Sequence, residues 1–450
     1  MSNKFKTLLL CSALSLGISF TAISASAEEL SLENAVSRGM ITNPEYGVVA
    51  NNRMATQEEY QQGRGLLLPS VDLRASVGPD WNKNVTTLGN GKTNGQTRET
   101  YDYSATLTQN LFAGGAHMAE INRQEKRVES ASWRVEETAQ LVGLSIVQSY
   151  LEVMRQRDLL QIAKDNVAEH MNMLNEIQSG AQAGRSTEAD VNQAESRVAS
   201  ARAQEADVRL ALRDAESQFI RYTGEKPDIL VMPKVPSDQL QSSVDEAVDA
   251  ATVNSPTLGI YEADADVAWQ EYQATKANFL PKVDLQLQGR QYNDLGGVIQ
   301  VAKNANAQVI ANWNIFRGGI DTHNKREAVY RHAQAKENRA EQARVIEDNL
   351  RQSWASMVAA GERAKEFNAQ ADSNAKVVQG YKDQFELDRR TLLDVLDAQN
   401  ELFVSRSNAV NAQYLEIIAV YRILALEGRL LSTLGVSSPR EANTTTTVLN

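Results

Sequence analysis

Cysteine is almost absent from this chain: its single cysteine, Cys11, lies within the first 27 residues. This leading segment has Lys4 and Lys6 near its start, continues with a short apolar stretch and ends in the small-x-small sequence Ala25-Ser26-Ala27. The order predicts a secretory signal peptide over residues 1–27, so that the mature chain begins at Glu28. The mature chain would then have no disulfide, no thiol chemistry and no lipid attached to an N-terminal cysteine.

Long apolar runs and excess positive charge are also missing. No stretch of about 18 apolar residues follows the predicted signal peptide, so we predict no transmembrane helix in the mature chain. The formal net charge is −11, and removal of Lys4 and Lys6 with the signal peptide lowers it to −13. An acidic chain of this kind argues against a nucleic-acid partner.

Catalytic and metal-binding motifs are not found in the sequence either. The chain has four histidines, and His323 and His332 are nine residues apart, which does not place two ligands on adjacent turns of one helix. No phosphate-binding loop or nucleophile elbow occurs. We therefore predict no metal, no cofactor and no enzymatic activity, and any ATP hydrolysis would belong to another protein.

Proline is missing from two long windows, between Pro79 and Pro227 and between Pro281 and Pro439. Each window opens with alternating, turn-rich sequence and then becomes rich in Ala, Gln, Glu and Arg. Residues 116–179 are predicted to form one helix about 96 Å long, at about 1.5 Å per residue. A globular domain of this size rarely houses such a rod.

The chain contains a long internal repeat. Residues 32–73 align without a gap with residues 244–285 at an offset of 212, and the Phe-x-Gly-Gly segment at 111–115 returns at 315–319, at an offset of 204. A repeat of this length is one supersecondary unit used twice. Pseudo-symmetry favours the wall of a tube over a single catalytic cleft. The predicted organisation is a first repeat at 28–226, a linker at 227–243, a second repeat at 244–436 and a disordered tail at 437–450.

A heptad seam follows in the second half of each repeat. Steps of three and four residues over 191–222 place apolar side chains on one helix face, and only Glu205 interrupts them. The two copies are predicted to end at Gly224 and Gly435, an offset of 211, which implies one additional heptad in the second copy. Many seam positions are Ala or Ser, which favours helices packed closely around a tube. A solvent-exposed coiled coil is the alternative.

Four segments alternate between apolar and polar residues, as strands with two different faces do. Segments of roughly ten such residues cross a bilayer as tilted strands, apolar toward lipid and polar toward a lumen. The alternative is a half-buried sheet on a soluble core, but the helices carry their own seam and leave no sequence to cover the apolar face. Four strands cannot close a barrel with a lumen, and an open edge cannot face lipid, so two, three or four subunits must assemble. The segments are 71–77, 101–107, 283–288 and 307–315.

These features together resemble the TolC family of outer-membrane export ducts. The resemblance is carried by the repeated Asn/Ser-Pro helix start, Leu-Pro before a strand, Phe-x-Gly-Gly after the second strand and the segment 391–400, and it covers nearly the whole mature chain. It implies an internally duplicated α+β membrane protein. In a homotrimer, four strands per chain would form a twelve-stranded β-barrel, which long antiparallel helices continue as a tunnel across the periplasm.

The resemblance also implies a passive outer-membrane channel in contact with outer-membrane lipid. Its partners would be a periplasmic adaptor protein and an inner-membrane ABC transporter or proton-driven pump. The segment 389–399 looks most like the branch that serves type I secretion, including the LapE/AggA-like exporters of adhesins. Adhesin secretion is therefore the expected function. A multidrug efflux outlet is the alternative within transport, and a structural coiled-coil surface protein is the alternative outside it.

The two helix-to-helix turns are predicted to form the periplasmic tip. In the family, an aromatic residue, an arginine and aspartates there lock and line the closed entrance. Phe385 stands where the compared relative has a tyrosine, so a hydroxyl hydrogen bond is lost. The alternative is that these residues are solvated helix-end charges of little energetic weight. The resemblance carries the gate roles to Asp190, Arg390, Asp394 and Asp397 and departs at Phe385, which remains the aromatic candidate for the gate. The predicted turns contain Gly184, Arg185, Arg389 and Thr391.

Two glycine pairs and two prolines mark the passages between strands and helices. Gly114-Gly115 and Gly318-Gly319 are predicted strand-to-helix bends, because glycine adopts dihedral angles that other residues resist. Pro69 and Pro281 mark the opposite passage, from helix to strand.

Overall fold

The computed structural model describes residues 29–83, 95–297, 299–387 and 389–443. The predicted signal peptide lies outside the described residues. Within them, helices account for most of the chain. The α-helices are α1 Leu32–Thr42, α2 Pro44–Gly65, α3 Ala116–Gln182, α4 Glu188–Thr223, α5 Val244–Asn254, α6 Pro256–Lys276, α7 Ile320–Glu386, α8 Leu392–Leu426 and α9 Leu430–Thr433.

One antiparallel sheet contains the four alternating segments, in the order β2-β3-β5-β6. The strands are longer than the alternation predicted, and the fourth ends at Asn312 rather than at residue 315. A separate parallel pair joins β1 to β4, near the two ends of the first repeat. The strands are β1 Glu29–Leu30, β2 Ser70–Asn82, β3 Gln96–Phe112, β4 Ile229–Leu230, β5 Lys282–Asn293 and β6 Val301–Asn312.

Two equal helices set the length of the molecule. The helices α3 and α7 each have 67 residues, which corresponds to about 100 Å at about 1.5 Å per residue. This result confirms the predicted long helix from residue 116. Each helix begins at a glycine in the left-handed conformation, Gly115 and Gly319, directly after the sheet.

The helices form a single layer whose edges align with the edges of the sheet. Beside the sheet, α3 packs against α2 on one side and α6 on the other, and α6 packs against α7. Farther away, α3 packs against α4 and α8, and α8 packs against α7. The layer therefore has α2 and α4 at one edge and α7 at the other. The strands that connect to these edges, β2 and β6, are also the outer strands of the sheet.

The main core lies where α1, the middle of α3 and the C-terminal parts of α4 and α8 meet. Phe219 and Tyr421 are fully buried there. The Tyr150 hydroxyl accepts a hydrogen bond from the Val231 N–H at 2.7 Å and lies 2.8 Å from the Leu30 carbonyl oxygen. Tyr150 therefore fastens the β1–β4 pair to α3, and its burial raises the pKa of the hydroxyl to about 12.

The predicted additional heptad of the second repeat is wrong. The helix α4 ends at Thr223, directly before Gly224, and α8 ends at Leu426, two residues before Gly428. Both glycines have left-handed dihedral angles, with φ of 74° and 71°. These two positions keep the offset of 204 seen elsewhere in the repeat. Gly435 follows the short helix α9 instead. The sequence misled because two glycine-containing turns, at Gly428 and Gly435, lie close together near the end of the second repeat.

The predicted disordered tail needs correction for residues 437–443, which pack against the helices. The Tyr46 hydroxyl donates to Glu441 at 2.8 Å, and the Ser132 hydroxyl donates to the Asn443 carbonyl at 3.0 Å. This C-terminal segment therefore packs across α2 and α3. Residues 444–450 lie outside the described residues.

The helix α8 is long and apolar enough to cross a membrane by length and composition, with a window of mean hydropathy 1.3. No membrane-length helix was predicted here, because charged and polar residues interrupt the apolar sequence of α8. Half of it is buried inside the helical layer, where Val420 and Leu424 belong to the main core. Burial of this kind is typical of a helix in a protein core.

Candidate channel surface and helical tip

The sheet has one apolar face, and the register shows how it forms. Val71 pairs with Leu107, Leu107 with Leu287, and Leu287 with Ala307. Directly paired residues share a face in an antiparallel sheet, so this row lies on one side. The apolar side chains are unusually exposed: Leu73 is 81% exposed and Val309 is 66% exposed.

The opposite face is polar and is connected by hydrogen bonds between strands. Arg290 donates to both carboxylate oxygens of Asp102, at 2.9 and 2.7 Å. Asn110 donates to Asp284 at 2.8 Å. Two parallel hydrogen bonds to one carboxylate hold both side chains in a fixed position. This face therefore offers water an ordered set of charges, whereas the other face is mainly hydrocarbon and has polar side chains such as Gln291 and Lys303 near the β5–β6 turn.

The glycine bends between the sheet and the long helices have the predicted geometry but different surroundings. All four glycines have left-handed φ values, between 63° and 89°. A Cβ atom on Gly114 would lie 2.8 Å from the Ala277 carbonyl oxygen, whereas a Cβ atom on Gly318 would meet nothing within 4 Å. Pro69 directly precedes β2, and Pro281 directly precedes β5.

The two tip turns are built on the same N-terminal helix cap. The Thr187 hydroxyl accepts from the Asp190 N–H, and the Asp190 carboxylate accepts from the Thr187 N–H at 2.9 Å. Thr391 and Asp394 repeat this reciprocal pair at the start of α8. Such a capping box satisfies donors that the first helical turn leaves free.

The capping geometry changes the electrostatics of both aspartates. The Thr187 backbone N–H and then its hydroxyl lower the pKa of Asp190 below the usual value. For Asp394, the Thr391 hydroxyl is the main cause of a lowered pKa, and Arg390 adds to it. Both carboxylates therefore stay ionised well into the acidic range. Each also has a structural role in its turn, which the sequence analysis did not assign.

The other turn residues shape the connection between helices. Gly184 has a φ of 71°, and the next N–H, of Arg185, donates to the Gly180 carbonyl at 2.8 Å. At the second turn, the Arg389 N–H donates to the Gln384 carbonyl at 2.9 Å. Both turns thus close with a backbone hydrogen bond back to the preceding helix.

Arg390 links the end of α7 to the start of α8. Its guanidinium carbon lies 4.0 Å from the centroid of the Tyr381 ring, and Nη1 lies 3.7 Å from Asp394 Oδ2. Its Nε donates to Gln384 Oε1 at 3.3 Å. Tyr381 was missed by the sequence analysis, although its position four residues before Phe385 places the two aromatic rings on one helix face.

Phe385 belongs to a small core between the two hairpin ends. It packs with buried residues of α3 and α8. The aromatic partner of Arg390 is therefore Tyr381, whereas Phe385 contributes packing. The buried members of this tip core are Met173, Ile177, Ala194, Leu392, Val395 and Leu396.

Two ion pairs join the α3–α4 hairpin to the α7–α8 hairpin near the tip. Arg197 of α4 lies 2.7 Å from Asp397 of α8, and Lys382 of α7 lies 2.5 Å from Glu169 of α3. The partners are 200 and 213 residues apart in the sequence. No spacing rule connects residues so far apart, so the sequence analysis found Asp397 but none of its surroundings. Among the described residues, no group of three His, Cys, Asp or Glu side chains has the geometry of a metal site.

A profile of the family described as "Outer membrane efflux protein" matches residues 40–225 and 247–429, which is most of the chain. The chain belongs to this family. Outer membrane efflux proteins of the TolC type are passive conduits without enzymatic activity, and they work as trimers with an adaptor and an inner-membrane pump. The chain is accordingly an outer-membrane channel protein, and the expected membership of the TolC family is confirmed.

Relatives within the family are named for different roles. The outer membrane efflux protein BepC of Brucella suis is 24% identical, over 72% of this chain and 71% of its own length. The outer membrane protein TolC of Vibrio cholerae is 23% identical, over 86% of this chain and 88% of its own length. The alkaline protease secretion protein AprF of Pseudomonas aeruginosa is 22% identical, over 86% of this chain and 82% of its own length.

Solved structures of outer-membrane channels share the fold. The crystal structure of the Campylobacter jejuni CmeC outer membrane channel superposes with a TM-score of 0.77, at 14% identity, over 94% of both chains. At 14% identity, this likeness shows that the two chains share a fold.

Proposed function

We propose that three copies of this outer membrane efflux protein form a channel-tunnel that passively conducts substrate from an inner-membrane pump and a periplasmic adaptor to the exterior. The observation that carries the proposal is the sheet with one exposed apolar face, whose two open edges continue into the two open edges of the helical layer. In this arrangement the apolar face contacts outer-membrane lipid, the polar face lines the lumen, and the helices extend into the periplasm.

Edge geometry supports a ring of subunits. The outer strands β2 and β6 have no strand partner on their outer sides within the described residues. An open edge leaves unpaired N–H and C=O groups, which lipid cannot satisfy. Pairing of β6 with β2 of the next copy is a head-to-tail contact, and such contacts form a ring when the rotation between copies closes. Three copies would give twelve strands.

The internal repeat predicts which helices meet between subunits. Inside one chain, the long helix α3 of the first repeat packs against α6 of the second, and the Ser130 hydroxyl donates to Asp264 at 2.6 Å. The equivalent of α3 is α7, and the equivalent of α6 is α2. By the offsets of 204 and 212, Ser130 corresponds to Gln334 and Asp264 to Asn52. Both are exposed in the single chain.

A pair of cysteines tests this contact. The double variant Asn52→Cys, Gln334→Cys is expected to form disulfides between subunits under mild oxidation. Denaturing gels without reductant should then show species at two and three times the monomer mass. The mature chain is predicted to contain no cysteine of its own, so the background is low.

The matched control is Ser130→Cys, Asp264→Cys, whose cross-link should stay within one chain and leave the monomer mass unchanged. Monomers only from the first variant, together with a stable detergent-solubilised monomer of full strand content, would contradict the ring. Ladders beyond three subunits would contradict the trimer.

The helical tip is proposed as the periplasmic gate. Asp190, Asp394 and Asp397 would each occur three times around the axis, and nearby carboxylates repel unless cations pair with them. Arg390 would both balance this charge and tether the end of α7 to α8 through Tyr381.

We expect Arg390→Ala to loosen the tip, because it removes the contacts with both Tyr381 and Asp394. Loss of an exposed cation–π contact alone would shift the closed-to-open ratio by about two- to fivefold in each subunit. Single-channel conductance in a planar bilayer should therefore rise, most clearly at low salt, since exposed ion pairs are screened over about 8 Å at physiological ionic strength. Arg389→Ala is the control, because the Arg389 contact described above uses only its backbone. Unchanged conductance of Arg390→Ala at low salt would reduce Arg390 to a solvated helix-end charge.

The proposed cargo is a secreted protein of the adhesin class, carried by type I secretion. This choice is supported by the resemblance of residues 389–399 to that branch and by the secretion role for which AprF is named. The efflux role for which BepC is named supports the alternative, the outlet of a multidrug efflux pump. Deletion of the gene should deplete one large protein from the cell surface and medium. Unchanged secretion, combined with greater sensitivity to several drugs, would favour efflux.

A further inference from the structure

A cluster of buried polar side chains lies between the two hairpins, above the tip core. Asn166 and His170 of α3 and Gln399 of α8 are 5%, 5% and 7% exposed. In the described structure, Asn166 Oδ1, His170 Nδ1 and Gln399 Oε1 have no hydrogen-bond partner. A cavity of about 250 Å³ lies between α3 and α8 beside this cluster, and Asn166 and Gln399 line it together with the charged residues Asp165, Glu169 and Arg406. Buried polar atoms without hydrogen-bond partners cost free energy. The contact between the α3–α4 hairpin and the α7–α8 hairpin is therefore less stable at this junction than an apolar contact would be.

Charged groups from three helices act on His170, and the fourth helix supplies the partner of one of them. Glu169 lies next to it on α3, Arg197 comes from α4, Lys382 from α7, and Asp397 of α8 pairs with Arg197. Each of the two ion pairs has no net charge, so the cluster is neutral while His170 is neutral. A proton on His170 adds a positive charge beside two existing cations, in a place from which water is largely excluded.

The direction of titration follows from these surroundings. Burial is the main cause that lowers the pKa of His170, Arg197 and Lys382 add to it, and Glu169 opposes it. When the junction opens and water reaches the ring, the pKa returns toward about 6.5. The open form therefore binds more protons between the two values. The closed junction is fully stable above about pH 6.5 and loses stability as the pH falls below it.

We propose that His170 is an acid sensor, which on protonation loosens the junction between the α3–α4 and α7–α8 hairpins and so favours opening of the tip. Protonated imidazole has two N–H donors and needs acceptors or water for both. Separation of α3 from α8 supplies water through the adjoining cavity. The consequence for transport rests on the proposed channel function, whereas the loosening itself does not.

The test is single-channel recording of the full-length protein between pH 7.5 and 5.5 on the periplasmic side. The wild-type open probability is expected to rise by up to about tenfold per pH unit for each titrating histidine. His170→Gln should remove this rise, and His170→Lys, whose charge is largely retained, should shift the channel toward opening at pH 7.5. His170→Leu provides a second non-titrating variant in case His170→Gln does not reach the outer membrane.

The matched control is His323→Gln, because His323 is an exposed histidine near the other end of α7. This variant should keep the wild-type pH response. The proposal is overturned if His170→Gln and His170→Leu keep that response, or if His323→Gln removes it.

Hydrogen exchange separates this proposal from the channel function. In detergent, amide exchange in α3 and α8 around residues 166–170 and 399 should accelerate at pH 5.5 relative to the intrinsic rate, in wild type but not in His170→Gln. Accelerated exchange without any channel current would leave the acid sensor standing and count against the channel. Channel current with the same pH-independent exchange in both proteins would overturn the sensor alone.

Discussion

Leu287→Arg is expected to prevent most of the protein from inserting into the outer membrane. Leu287 lies on the apolar face in one row with Leu107 and Ala307. In the proposed assembly this face contacts lipid. A charged side chain near the midplane of a membrane barrel costs about 2–4 kcal/mol in each strand that carries it. Three copies would each bear this cost. The amount of heat-resistant oligomer in outer-membrane fractions should fall sharply. Protein that has been refolded into lipid vesicles should also unfold at a lower urea concentration than the wild type.

The neighbouring residue is the matched control. Gln286 pairs with Thr108 and Gln308, so it lies on the polar face. Gln286→Arg should insert normally and add positive charge to the lumen, which makes the channel more selective for anions in reversal-potential measurements. Equal tolerance of both variants would show that the faces are assigned incorrectly, and equal loss would show that neither face borders water.

Gly114→Ala is expected to destabilise the chain itself. Gly114 has a φ of 66°, and a left-handed conformation costs a residue with a side chain about 1–2 kcal/mol. The new methyl group would also lie 2.8 Å from the Ala277 carbonyl oxygen and 3.1 Å from Leu280 Cβ. The backbone around the α6 end must shift, so we expect a total loss above about 2 kcal/mol. Thermal or urea unfolding of the detergent-solubilised protein measures this loss.

Gly318→Ala distinguishes folding from assembly. Gly318 is the repeat equivalent of Gly114 and has a φ of 63°, but its added methyl group would contact nothing in the single chain. The repeat equivalent of Ala277 is Gly65, which would belong to the next subunit in the proposed ring. The variant should therefore show a smaller loss of chain stability, of about 1–2 kcal/mol, together with fewer trimers. A loss of chain stability as large as that of Gly114→Ala would contradict this explanation.

Local sequence signals predicted much of the fold. The long helix from residue 116 was predicted from the absence of proline, and the glycine bends were predicted from paired glycines after alternating segments. The four strands were found because alternation is a local property, although their ends were placed too early or too late. The extra heptad was wrong because glycine spacing alone does not show which turn ends a helix.

The candidate site was less predictable. Thr391 and Asp394 carry a cap signature that the sequence shows directly, yet the capping role was not assigned. Tyr381 was missed because a cation–π contact depends on how a turn folds back on the preceding helix. Phe385 was assigned to the gate through the resemblance, whereas its position between two hairpins makes it part of a core.

The sequence by itself determined the repeat, the long helices, the two-faced strands and the resemblance to an outer-membrane duct, because periodicity and composition act over short stretches of chain. Only the tertiary structure decided which edges remain open, that Gly114 and Gly318 have different neighbours, and that Arg197 pairs with Asp397 beside the buried His170. These facts depend on contacts between residues about 200 positions apart. Such contacts follow from the packing of whole helices and strands, and no local pattern specifies them.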